Sequence, residues 1–139
     1  MEAPTETLDT TILPDGPDLT APDGSEVRIL AGLGAGGMAH FRLAPGETSV
    51  AVRHRTVGEI WFVISGAGTM WRRRGDEEHT DDLRPGVCLP IPMGTAFQFR
   101  SAGPGVLDVV AVTMPPWPGS GEAVTAEGRW TPTVAPGPS

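Results

Sequence analysis

Apolar and polar positions alternate with a period of two along the middle of this chain. Val50, Val52 and His54 share one face of a segment whose other face carries Arg53 and Arg55. The following segment sets Glu59, Trp61 and Val63 on one side and Ile60, Phe62 and Ile64 on the other. Successive side chains of a strand point to opposite faces, so this pattern predicts β-strands with a defined inside. Short β-branched or aromatic runs fall at residues 27–33, 38–43, 48–54, 60–64, 69–74, 87–91, 96–100 and 106–113, bounded by Gly, Pro or Asp. About eight short strands with hairpin-length links predict an all-β fold, a single-domain antiparallel β-barrel or double-stranded jelly roll.

The links and flanks complete the picture. Gly66-Ala67-Gly68 predicts a tight connection, and GDEEHTDD at 75–82 a polar loop. GLGAGG at 32–37 lacks a following helix, so it reads as a strand-linking turn rather than a phosphate loop. Residues 1–25 are rich in Pro, Asp and Thr and predict an arm with one short edge strand near 10–13. Residues 26–114 would form the barrel, and 115–139 a second, Pro- and Gly-rich arm. Trp117 and Trp130 predict that this arm packs back on the barrel or on a partner. The outward Ile60, Phe62 and Ile64 are too apolar to face water. They predict a cover, either the arms or a second copy in a homodimer.

Composition narrows the function. The chain has 19 Gly and 15 Pro, which argues against long helices. A formal net charge of −7 argues against nucleic acid or an anionic membrane as partner. The basic run Arg72-Arg73-Arg74 is followed at once by Asp76, Glu77 and Glu78, which predicts a self-neutralising hairpin tip. The single cysteine, Cys88, lies in the apolar run GVCLPIP and is expected to be a small buried hydrophobe. No apolar run reaches the roughly 18 residues of a membrane span, and no leader pattern opens the chain. A cytoplasmic protein with a small-molecule partner is the expectation.

The residues with chemistry cluster in GETSVAVRHRTVGEIWFVISG. Its fixed points Gly46, His54, Glu59 and Gly66 are spaced as in the first motif of the cupins, which it resembles. The position of that motif's first histidine holds Val52. Gly86, Pro92 and Gly94 match the second cupin motif, where Phe97 stands at the histidine position and Ser101 at the asparagine position. The resemblance implies a small β-barrel whose mouth usually holds a metal on three histidines and a glutamate. Here His54 and Glu59 alone are kept. A catalytic metal needs about three protein ligands, so a metal-free cavity is expected. The alternative is a divalent ion (iron, manganese, nickel, copper or zinc) held by His54 and Glu59, with His40 or waters completing its shell.

Without metal, a carboxylate beside an imidazole favours its protonated form and supplies a proton donor or acceptor near neutral pH. His54 is then the expected general acid/base and Glu59 its orienting partner. Val52, Trp61 and Phe97 would form an apolar wall, and His40 and Arg42 are candidates to anchor a carbonyl or carboxylate. Strict alternation turns Gln98 to the face opposite Phe97. The resulting expectation is a small-molecule-binding protein. It would be an enzyme of isomerase, cyclase or lyase type, acting by proton transfer on a hydrophobic or cyclic metabolite. The alternatives are a binding module without turnover and a metal-dependent oxygenase or lyase.

Overall fold

The computed structural model describes residues 6–138. Eleven strands and no helix make up the regular structure among them. In chain order they are β1 (Leu19–Thr20), β2 (Glu26–Leu33), β3 (Gly36–Leu43), β4 (Val52–His54), β5 (Gly58–Ser65), β6 (Gly68–Arg74), β7 (Glu77–Leu83), β8 (Cys88–Ile91), β9 (Ala96–Ser101), β10 (Leu107–Met114) and β11 (Ala123–Thr125). They form a six-stranded sheet in the order β1-β2-β3-β10-β5-β8 and a five-stranded sheet in the order β11-β4-β9-β6-β7. Every pairing is antiparallel. This is the expected double-sheet jelly roll.

The core fills the space between the sheets. Leu43, Trp61, Val63, Leu89, Leu107 and Val109 come from the larger sheet, and Val52, Met70, Leu83, Phe97 and Phe99 from the smaller. The alternation predicted for β4 and β5 holds: Val52, His54, Glu59, Trp61 and Val63 are buried while Arg53, Ile60, Phe62 and Ile64 are exposed. Hydrophobic burial of one face fixes such a register, because a one-residue slip would move the whole set into water. The Gly-Ala-Gly connection is tight for a steric reason. A Cβ at Gly66 or Gly68 would run into the carbonyls of Val106 and Arg100, and Gly66 also has φ +89°.

Several expectations need correction. Residues 75–82 are not a loop: β7 covers Glu77–Leu83 and pairs with β6 in the register Arg73↔Glu78 and Arg74↔Glu77. As an edge strand it can be polar on both faces, which hid it from the alternation test. The basic and acidic runs do neutralise one another, with Arg72 on Asp81 at 2.7 Å and Arg74 on Glu77 at 3.5 Å. Residues 10–13 carry no strand. The short strand of the first arm is β1, hydrogen-bonded to β2 through the turn around Asp23-Gly24. Cys88 is exposed rather than buried, since β8 is also an edge strand and turns Cys88 and Pro90 outward while Leu89 and Ile91 enter the core.

Both arms are tied to the sheets. Arg28 holds the first from outside, donating from Nε to the Pro14 carbonyl at 2.9 Å and from Nη2 to that of Asp15 at 2.7 Å. The second is clasped by the wholly buried Gln98. Its amide nitrogen donates to the Ser49 and Trp130 carbonyls, both at 2.8 Å, and its oxygen accepts from the amides of Arg129 and Trp130, both at 2.9 Å. Trp130 also lies under the Arg100 guanidinium, 4.2 Å from ring to cation. Trp117 instead reaches the cavity.

Candidate functional site

A cavity of about 420 Å³ opens between the sheets at the end where β4 stops and β5 begins. Its wall is nearly all hydrocarbon. Val27, Ala39, Phe41, Val52, Phe97 and Trp117 contribute the apolar surface, and the ionisable side chains on it are Asp23, His54 and Glu59. Exposed apolar residues at the mouth, Ile29, Leu33 and Met38, extend the same character outward.

Each polar group owes its position to local structure. His54 is the last residue of β4, held between β9 and β11 of the second arm. Its ring meets Phe97 edge-on at 5.2 Å and Trp117 at 4.9 Å. The tight turn into β5 is fixed by Glu122, whose carboxylate accepts from the Thr56 amide at 2.7 Å and the Val57 amide at 3.0 Å. Glu59 then enters the cavity from β5, paired to Thr113 on one side and Ile91 on the other. Its Oε1 accepts from Trp61 Nε1 at 2.8 Å. Asp23 sits in the turn after β1, its Oδ1 taking the Ser25 amide at 2.9 Å and the Ser25 hydroxyl at 2.6 Å.

His54 Nδ1 and Glu59 Oε2 are 3.9 Å apart, too far for a hydrogen bond. Nδ1 has no partner. In this apolar pocket the cost of burying charge outweighs the attraction between the two groups. Burial pushes the His54 pKa down to about 4, against a smaller opposing pull from Glu122. Burial pushes Glu59 up to about 7, with the Trp61 hydrogen bond opposing it and the nearby Asp23 adding to it. Asp23 is also raised by burial. The expectation of a protonated imidazole on a carboxylate is therefore inverted. At neutral pH His54 is uncharged, and Glu59 is the group that titrates there.

Val52, Phe97, His54 and Glu59 line the cavity as read from the sequence. Trp61 does not. It points inward but lies behind Phe41, which stacks on it at 5.7 Å with planes 6° apart and presents the aromatic wall in its place. His40 and Arg42 are on the opposite face of β3, outside the sandwich. Both grip Asp108 of β10, with His40 Nε2 at 3.0 Å and Arg42 Nε at 2.7 Å from Oδ1. The parity of β3 explains this: Phe41 and Leu43 take the interior, so His40 and Arg42 cannot. Asp23 escaped the sequence reading, and Trp117 was expected to pack on the barrel or a partner but not to line the cavity, because their place depends on how the arms cross the barrel.

The same geometry tests the metal that the motif resemblance implies. Two of the four ligand positions carry the hydrocarbon of Val52 and Phe97. His40 is on the wrong face to join, and Glu59 holds its proton up to about neutral pH. Among the described residues no group of three or more His, Cys, Asp or Glu is placed to hold an ion. The donor set does not fit a metal.

Residues 39–113, more than half of the chain, match the family model of the cupin domain. The protein belongs to the cupin family. Solved structures share this cupin's architecture at low identity. CapF of Staphylococcus aureus, described as a capsular polysaccharide assembling protein, is 18% identical with a TM-score of 0.68 over 79% of this chain and 34% of that one. A Klebsiella pneumoniae protein with a double-stranded β-helix domain is 19% identical with a TM-score of 0.62, covering 75% of this cupin and 85% of that chain. A variant oxalate decarboxylase of Bacillus subtilis is 16% identical with a TM-score of 0.66, covering 78% and 29%. The cupin thus spans about a third of the length of CapF. These likenesses concern the fold. A search of curated proteins finds no significant match.

Proposed function

We propose that this cupin is a metal-independent enzyme that moves a proton on an uncharged, largely hydrocarbon cyclic molecule, in isomerase, cyclase or lyase chemistry. The observation that carries this reading is the pairing of Glu59 and His54, face to face, on a wall otherwise made of apolar side chains. With Arg42 outside the sandwich, the described lining of the cavity holds no cation to receive a carboxylate. A neutral ring bearing a carbonyl matches it best.

The roles follow from the protonation states. Glu59, titrating near neutral pH, is the proton carrier: its carboxylate accepts a proton from carbon next to the carbonyl and returns it elsewhere on the ring. His54, neutral and with Nδ1 unpartnered, donates a hydrogen bond to the oxygen that gains charge, as an uncharged imidazole can. Trp61 Nε1 aims Glu59, and Phe41, Phe97 and Trp117 hold the ring and exclude water.

The test uses α-tetralone, an uncharged bicyclic ketone, in D₂O at neutral pH, with exchange at the carbon next to the carbonyl followed by proton NMR. Wild-type protein should accelerate exchange, and Glu59→Gln should lower that acceleration by about 10²-fold or more. Quenching of the tryptophan fluorescence reports binding separately. Binding without accelerated exchange would make the protein a non-catalytic metabolite binder, and equal exchange in both proteins would remove Glu59 from the chemistry. The outward ridge of Ile60, Phe62 and Ile64, each 44–48% exposed, supports a homodimer built on the outer face of the larger sheet.

A further inference from the structure

A second recess, of about 320 Å³, lies at the same end of the molecule beyond the wall of the main cavity. It is bounded by the β6–β7 hairpin and by residues 90–95, which close β8 and lead into β9. Its polar lining differs from that of the first. Arg72, Arg73, Arg74, Glu77, His79 and Thr95 line it beside Pro90 and Pro92.

Two of the residues that line this recess carry a buried donor without an acceptor. Arg72 donates from Nη1 to the Pro90 carbonyl and from Nη2 to Asp81, both at 2.7 Å, which leaves its Nε buried and unpartnered. Thr95 is 3% exposed and its Oγ1 is likewise unpartnered. A buried donor without a partner costs its full desolvation penalty, so two on one wall call for an acceptor. The charges around them agree. Arg74 and His79 share the single carboxylate of Glu77, at 3.5 and 2.9 Å. Arg73 lies against the Trp71 ring, 5.6 Å from its centre, with no carboxylate in ion-pair range among the described residues. Of the three arginines, Arg72 and Arg74 are paired with Asp81 and Glu77 and only Arg73 lacks such a pair, while the lining of the main cavity holds no arginine.

We propose that this recess binds a compact oxyanion, the carboxylate or phosphate of a small molecule, through Arg72 Nε–H and the Thr95 hydroxyl, with Arg74 and His79 at its rim. Guanidinium suits such groups because its N–H bonds are fixed in a plane and permanently charged. The site is separate from the proton-transfer cavity and stands whether or not that reading holds.

The experiment is a titration of the full chain with sodium phosphate and, separately, sodium acetate at constant ionic strength. Arginine Nε–H resonances are followed by ¹⁵N NMR. The expected result is a saturable shift of the Arg72 signal with at least one of the two anions. Saturation by phosphate alone assigns a phosphate-bearing ligand, and by acetate alone a carboxylate. Thr95→Val, which removes the hydroxyl and keeps the shape, should weaken binding about tenfold. Arg72→Lys, which keeps the charge and loses Nε, should leave the remaining arginine signals with small linear shifts and no saturation. Shifts that rise linearly and equally across all arginines, or binding unchanged in Thr95→Val, would overturn the proposal.

Discussion

Replacing Glu59 by Gln should make the protein more stable, by an amount that grows as the pH rises from 4.5 through about 7. The introduced amide keeps an acceptor for Trp61 Nε1 and the shape of a protonated carboxyl, but it cannot ionise. In the wild type, burial raises the Glu59 pKa from 4.5 to about 7. The unfolded chain therefore ionises this group first as the pH rises, and the native state loses stability from pH 4.5 through about pH 7. A rise of that size corresponds to about 3 kcal/mol, complete at pH 8 and absent at pH 4. His54 works in the opposite sense. Its folded pKa is depressed from 6.5 to about 4, so its contribution is full above pH 6.5 and is lost as the pH falls toward 4. The variant retains that acid limb, and Asp23 is present in both proteins, so the difference between them isolates Glu59. Urea unfolding followed by tryptophan fluorescence at pH 5 and pH 8 measures it. The variant should gain about 3 kcal/mol on the wild type at pH 8 and well under half of that at pH 5. An equal difference at the two pH values, or a wild type more stable at pH 8, would falsify the picture of a carboxyl held neutral by burial.

Two further outcomes test other parts of the structure. Gln98→Leu removes four hydrogen bonds, three of which clasp the second arm. It should cost about 2–4 kcal/mol in urea unfolding and speed amide hydrogen exchange at Arg129 and Trp130; unchanged exchange there would mean the arm is held by other contacts. Phe62→Asp places charge in the exposed apolar ridge. By analytical ultracentrifugation it should convert a dimer to a monomer without changing the circular dichroism spectrum, and a wild type that is already monomeric would discard the dimer.

The strands were legible where a neighbour on each side forces a choice of face. β4 and β5 are such strands, and the placement of His54 and Glu59 was readable to the residue. β3 was equally informative in principle: Ala39, Phe41 and Leu43 form the apolar parity, which sends His40 and Arg42 outside, yet their chemistry drew them toward the site. Edge strands gave no such signal. β7 is polar and exposed on both faces along nearly all its length, and β8 is apolar on both although one face is in water. The protonation of the pair was not legible either, since it depends on how completely Val52, Phe41, Phe97 and Trp117 desolvate it. Asp23 comes from a segment whose local sequence says only that it is irregular, and Trp117 from one whose tryptophans predict packing but not its place. Their roles arise from tertiary closure.

That closure gives the cavity a simple kind of feedback. Trp117 and the Asp23 turn help wall the chamber around the acid. An apolar guest excludes solvent from that chamber, and a carboxyl in drier surroundings holds its proton more firmly. Loading the chamber in neutral buffer thus draws a fraction of a proton out of solution, and release gives it back. The occupant sets the acid strength of the group that acts on it.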